Sequence, residues 1–272
     1  MDAVTPPALA HRSAEAAAPA IVEAEGLSFG FPGDASGALV LEDFHLALPR
    51  GGFVAVVGPS GVGKSTLLRV VAGLVPQTRG RITVDAAANP GRRPVATVYQ
   101  DARLLPWRRA LGNIEFGLEG LVADRRERRE RARTVLAKVG LAEHAGKWPH
   151  QLSGGQRQRI GIARALAVEP DLLLMDEPFS ALDAITRRGL QDELLRLWRD
   201  SGISVLFVTH DLDEAVYLAD RVVLLAGRPG RIVEEFSVGL PRPREREGGA
   251  FGDTVRTIRA ALDESFTHGA GI

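Results

Sequence analysis

The run Gly58-Pro59-Ser60-Gly61-Val62-Gly63-Lys64-Ser65-Thr66 constrains this chain more than any other stretch. Its spacing is that of a phosphate-binding loop, Gly, four residues, then Gly-Lys-Ser/Thr. The flanks suit it: Phe53-Val54-Ala55-Val56-Val57 reads as a short buried strand, and Leu67–Gly73 reads as a helix stopped by glycine. A strand feeding a glycine-rich loop that opens a helix aims backbone N–H groups and the positive helix end at one point, where phosphate fits. Lys64 is placed to bridge the outer phosphates and Ser65 to hold Mg²⁺. A glycine-rich turn that happens to precede a lysine is the plain alternative, and the strand–loop–helix setting argues against it. Nucleotide binding follows, but many chemistries share this loop, and the remaining residues must choose among them.

Composition removes several choices. Lys plus Arg is 34 and Asp plus Glu is 34, so the net charge is zero and no nucleic-acid partner is expected on electrostatic grounds. Cysteine is absent, which rules out disulfides and thiolate metal sites. No apolar run approaches the roughly 18 residues of a membrane span. The N-terminus lacks the basic start and apolar core of a signal peptide. The expectation is a soluble chain whose membrane role, if any, comes through a partner.

Along the chain, residues 1–20 are rich in Ala and Pro and read as a mobile, disordered tail. Ile21–Ala24 and Leu39–Leu48 read as antiparallel strands around a turn at Phe31–Gly37, a small β subdomain placed to cover a nucleotide base. Phe29 and Phe31 lie there. Phe31, beside the turn, is the candidate to stack on adenine; both aromatics as core or turn residues is the alternative. Two strands follow, Arg81–Val84 and Val95–Tyr99, the second ending at Gln100. Residues from about 101 to 150 read as a helical insertion, and the mixed charges of Arg125–Arg131 as a solvated helix face.

Beyond Leu152–Gln156 a helix runs to Ala167, and the apolar strand Leu172–Met175 ends in Asp176-Glu177. Ser180–Asp183 turns into another helix, Ser204–Thr209 is a strand ending at His210, and Asp211–Ala219 is helical. Arg221–Ala226 and Arg231–Phe236 close the sheet. This alternation implies the α/β class, with a parallel core sheet and helices on both faces. The main domain is expected over residues 21–240. Residues 241–272 form a short, charged C-terminal extension with one amphipathic candidate, Val255–Phe266.

Ligands of open α/β sheets bind beyond the carboxyl ends of the strands. Those ends deliver Gly58–Thr66, Gln100, Asp176-Glu177 and His210. Asp176 can hold Mg²⁺, directly or through water; Glu177 can orient or deprotonate an attacking water; Gln100 can complete the metal shell; His210 can contact the γ-phosphate. Each has a structural alternative alone, and their convergence is the argument. Ser153-Gly154-Gly155-Gln156 at a helix start is a second anion-binding geometry, with a hydroxyl, free N–H groups and a helix dipole.

With these motifs in place, the chain resembles the ATP-binding-cassette family of ATPases from about Ile21 to Phe236. The matching residues are the Walker A loop Gly58–Thr66, the Q-loop Gln100, the signature Leu152–Gln156, the Walker B run Leu172–Asp176 with Glu177, the D-loop Ser180–Asp183 and the switch His210. The resemblance implies a head-to-tail homodimer with two ATP molecules, each between the loop of one subunit and the signature of the other. The base-stacking position, often Tyr in the family, is Phe here, which keeps stacking and loses a hydroxyl.

Trp107 in Leu104–Arg108, Asp183–Arg187 and Leu225–Ile232 look like the importers of nitrate, sulfonates and taurine. Trp107 packing on the helical insertion is a compatible alternative. Gly146–Gln151 and Pro241–Arg244 look most like aliphatic-sulfonate importers. The resemblance implies a peripheral ATPase on the cytoplasmic face of the inner membrane, working with permease subunits and, through them, an extracytoplasmic binding protein. A soluble cassette protein gating nucleic-acid or ribosome binding is the rival; such proteins carry paired cassettes or a long coiled-coil insertion, and this sequence shows neither.

Overall fold

A computed structural model describes residues 19–31, 37–87 and 90–269, with side chains to residue 265. The expected N-terminal tail lies outside these residues up to residue 18, as does most of the turn at 31–37. Two sheets organise the molecule. The smaller is antiparallel, β1 (Ala20–Gly30) between β2 (Leu39–Pro49) and β4 (Arg79–Val84). The larger runs β5 (Val95–Val98), β6 (Leu172–Asp176), β7 (Ser204–Thr209), β3 (Phe53–Val57), β8 (Arg221–Ala226) and β9 (Arg231–Ser237), in that spatial order. Its first five strands are parallel, and β9 returns antiparallel to β8.

Period-two alternation sorts the central strands between two cores. Phe53, Ala55, Val57, Leu173, Met175 and Phe207 face one side, beneath α2 (Ala110–Leu118), α4 (Gly154–Ala167), α5 (Ala184–Ser201), α6 (Leu212–Leu218) and the C-terminal α7 (Gly249–Gly269). Val54, Val56, Leu172, Leu174, Leu206 and Val208 face the other, beneath α1 (Lys64–Val71) and the apolar side of the small sheet, including Leu27, Phe29, Leu41 and Phe44. Helices thus lie on both faces as expected, and on the second side α1 shares the cover with the small sheet. A continuous apolar strand reports burial on both faces and not what covers each.

The charged helix α3 (Arg125–Lys138) buries only Ala132 and Leu136 and points most of its arginines to solvent. Arg131 departs from that pattern, donating to the carbonyls of Gly91 and Ala167. The extension is tied down: Phe251, Val255 and Ile258 of α7 are buried in the larger core.

Candidate nucleotide site

Register aligns three strand ends. Val57 of β3 lies beside Thr209 of β7, and Asp176 of β6 beside Val208 of β7, so Gly58, Glu177 and His210 leave the sheet at neighbouring points. The loop between β3 and α1 needs its glycines. A Cβ on Gly58 would sit 2.2 Å from the Leu225 carbonyl oxygen, and Gly63 holds φ at +110°, a conformation side chains resist.

Lys64 lies buried inside the loop, donating to the carbonyls of Gly58 at 2.8 Å and Pro59 at 3.0 Å. Its ammonium is 3.7 Å from Oε1 of Glu177. Burial lowers the Lys64 pKa, and the Glu177 carboxylate works against that shift. Ser65 Oγ donates to Asp176 Oδ1 at 2.9 Å. Burial raises the Asp176 pKa; the Ser65 hydrogen bond opposes this and the negative Glu177 adds to it.

Glu177 occupies the left-handed region with φ at +43°, which costs a non-glycine residue about 1–3 kcal/mol and recurs where a side chain must be aimed. Its N–H donates to the Val208 carbonyl at 2.9 Å, and its Oε2 lies 3.0 Å from Nδ1 of His210. Lys64, Ser65, Asp176, Glu177 and His210 therefore form one connected set.

Gln100, Phe31 and Ser153–Gln156 make no hydrogen bond or ion pair to that set among the described residues. Gln100 is exposed and makes no hydrogen bond among the described residues. Phe31 is 53 % exposed, while Phe29 is 1 % exposed and meets its edge at a centroid distance of 5.3 Å, so of the two only Phe31 can offer a face to a ligand. Ser153 caps α4: its Oγ accepts from Gln156 N at 3.2 Å, and Gln156 Oε1 accepts from Ser153 N at 3.0 Å. Gln156 also meets His144 at 2.9 Å. No hydrogen bond or ion pair joins Ser153–Gln156 to the loop Gly58–Thr66 among the described residues.

The support behind His210 comes from a residue outside the expected set. Glu214 is 4 % exposed, accepting from Thr209 Oγ1 at 2.8 Å and Gln191 Nε2 at 3.1 Å. The sequence carried little signal for it: Glu214 follows Asp211 and Asp213 at a helix start, where acids are common, and only its place before Ala215-Val216-Tyr217-Leu218 hinted at burial.

A parallel sheet that delivers a phosphate-type loop, a carboxylate pair and a histidine from adjacent strand ends is the framework of a phosphate-loop nucleotidase. The family model described as ABC transporter matches residues 41–180, and the chain belongs to that family. It is 50% identical over 231 residues to the aliphatic sulfonates import ATP-binding protein SsuB of Cupriavidus pinatubonensis, spanning 84% of this chain and 75% of that protein. The taurine import ATP-binding protein TauB of Pseudomonas aeruginosa is 46% identical over 239 residues, 87% of this chain and 89% of its own. Among solved structures, the ATP-binding cassette MJ0796, dimeric in a post-hydrolysis state with ADP and Pi, superimposes with a TM-score of 0.70 at 30% identity, over 81% of this chain and 100% of that one. The cassette cbiO1 of Clostridium perfringens, part of the transporter complex cbiONQ, gives 0.73 at 26% identity, over 90% and 97%.

Proposed function

We propose that this chain is the ATP-hydrolysing subunit of an importer of small anions, aliphatic sulfonates foremost, acting as a head-to-tail homodimer beneath a membrane permease. The observation that carries the chemistry is the connected set at the strand ends, Lys64–Glu177–His210 beside Ser65–Asp176. The backbone N–H groups of the loop Gly58–Thr66, Pro59 excepted, and the ammonium of Lys64 hold the β- and γ-phosphates. Phe31 stacks on the adenine. Glu177 accepts a proton from the attacking water, and His210, on the other side of that carboxylate, fixes its orientation and reaches the γ-phosphate. Ser153–Gln156 of a second copy covers the phosphates from the opposite side.

A hydroxyl and a carboxylate 2.9 Å apart form a hard oxygen pair suited to Mg²⁺, a cation usually held on nucleotides by few protein ligands. Ser65 and Asp176 would hold it, with Gln100 completing the shell. Bound there, the cation supplies charge neutralisation on the phosphate oxygens.

No helix among the described residues is long and apolar enough to cross a membrane. A peripheral place on the cytoplasmic face of the inner membrane fits that. The permease is met at the loop after Gln100, where Trp107 is 69 % exposed. An extracytoplasmic binding protein delivers the solute to that permease. Relatives of both the sulfonate and taurine kinds support an organosulfonate as the solute, with nitrate the further alternative.

Glu177→Gln tests the site. The variant is expected to keep its affinity for a fluorescent ATP analogue and to lose turnover by roughly a hundredfold or more. Near-normal hydrolysis would overturn the assignment of Glu177 as base. Reconstitution with the permease and binding protein, scoring which of sulfonate, taurine and nitrate stimulates hydrolysis, tests the solute.

A further inference from the structure

The stretch after β9 packs back against α6, the helix that follows His210. Arg244 is buried and caps the carboxyl end of α6, donating through Nη1 to the carbonyls of Val216 and Ala219, both at 2.6 Å, and through Nη2 to Val238 at 3.1 Å. Arg242 pairs with Asp220 and lies over the Trp198 ring at 4.7 Å. Arg246 stacks over the Tyr217 ring at 3.4 Å and donates to Gln191 Oε1 at 2.6 Å.

That last bond settles which way the buried Gln191 amide points. With its oxygen committed to a guanidinium, its nitrogen has to face Glu214, to which it donates at 3.1 Å. The second oxygen of Glu214 accepts from Thr209 Oγ1 at 2.8 Å, which frees that hydroxyl's lone pairs to accept from Asp211 N at 3.0 Å. With Glu214 ionised, each polarity in the series follows from the one before it, beginning at a group that can only donate. His210 is the residue enclosed between Thr209 and Asp211.

We infer that Arg246 of the C-terminal extension is a positioning residue for His210, acting through Gln191, Glu214 and Thr209 to fix the turn that carries the imidazole. This rests on the proposed role of His210 at the nucleotide. Gln191, Glu214 and Thr209 are all buried, so the bonds are sheltered from exchange with water, and an amide turned the wrong way would set donor against donor. Glu214 also faces Arg187 Nε at 3.7 Å; Arg187 reaches Asp211 as well, so an α5 cation and the α6 N-cap border the same carboxylate.

The test compares Arg246→Ala and Arg246→Lys in the full chain, using histidine-labelled protein and NMR of the imidazole protons, with the His210 signal assigned from His210→Ala. Arg246→Ala is expected to shift the His210 resonance while those of His45, His144 and His150 stay in place, and Arg246→Lys to restore it. In parallel, kcat for ATP should fall about threefold to tenfold in Arg246→Ala at unchanged affinity for the ATP analogue. Arg246→Lys, which keeps a donor for Gln191, should recover most of that loss.

A His210 resonance unmoved by Arg246→Ala, or shifts spread evenly over His45, His144, His150 and His210, would overturn the inference. A shifted resonance in a chain where His210→Ala hydrolyses ATP normally would overturn the role given to His210 and leave the structural series intact.

Discussion

Glu214 is a carboxyl group sealed from water behind the nucleotide site, among Thr209, Gln191, Arg187, Asp211 and His210. Burial pushes its pKa from 4.5 up to about 7, against the Thr209 hydrogen bond and with help from Asp211. Between those two values the folded protein holds a proton that the unfolded chain has released. Its contribution to stability is therefore complete in acid and is lost as pH rises through about 7. Glu214→Gln removes this proton linkage, so its melting temperature should fall less than the parent's between about pH 5 and about pH 8. Parallel curves for the two proteins would refute the assignment. Lys64, Asp176, Glu177 and His210 were legible because each sits at fixed spacing from a strand end that the apolar pattern marks. Gln191 and Arg246 were not, because 55 residues of chain separate them and only the packed fold makes them neighbours.

At the scale of elements, the loop after β5 shows how a motif becomes a surface. Asn113 is fully buried at the start of α2; its Oδ1 accepts from Leu105 N at 2.7 Å and its Nδ2 donates to the carbonyl of Arg108 at 2.9 Å. From α4, Arg164 donates to Ala102 and Arg103, and Gln158 to Tyr99. The loop is held at both ends and its tip presents Trp107 outward. A large aromatic placed so can carry about 2 kcal/mol or more of a protein contact. Trp107→Ala should therefore sharply reduce the share of the chain that sediments with membranes from cells co-expressing the permease, with retained binding of the ATP analogue as the check on folding. Unchanged sedimentation would remove Trp107 from the contact. Strand and helix positions were readable here from apolar period and glycine stops. That the small sheet lies on β3, β6 and β7 was not, since β1, β2 and β4 alternate in a way that fits any covering layer.

For the molecule as a whole, the signature Ser153–Gln156 satisfies its own helix start and shares no bond with the phosphate loop of the same chain among the described residues. The proposed dimer accords with that separation, and it carries a genetic consequence. Two chains damaged in different halves, Lys64→Ala in one and a Ser153 variant in the other, should each be inactive alone. In the mixed pair one site collects both defects and the other collects none. Co-purifying the two variants should thus recover hydrolysis that neither shows by itself, as two broken alleles rescue one another within a single complex. A mixture as silent as its parts would mean that each chain closes its site alone.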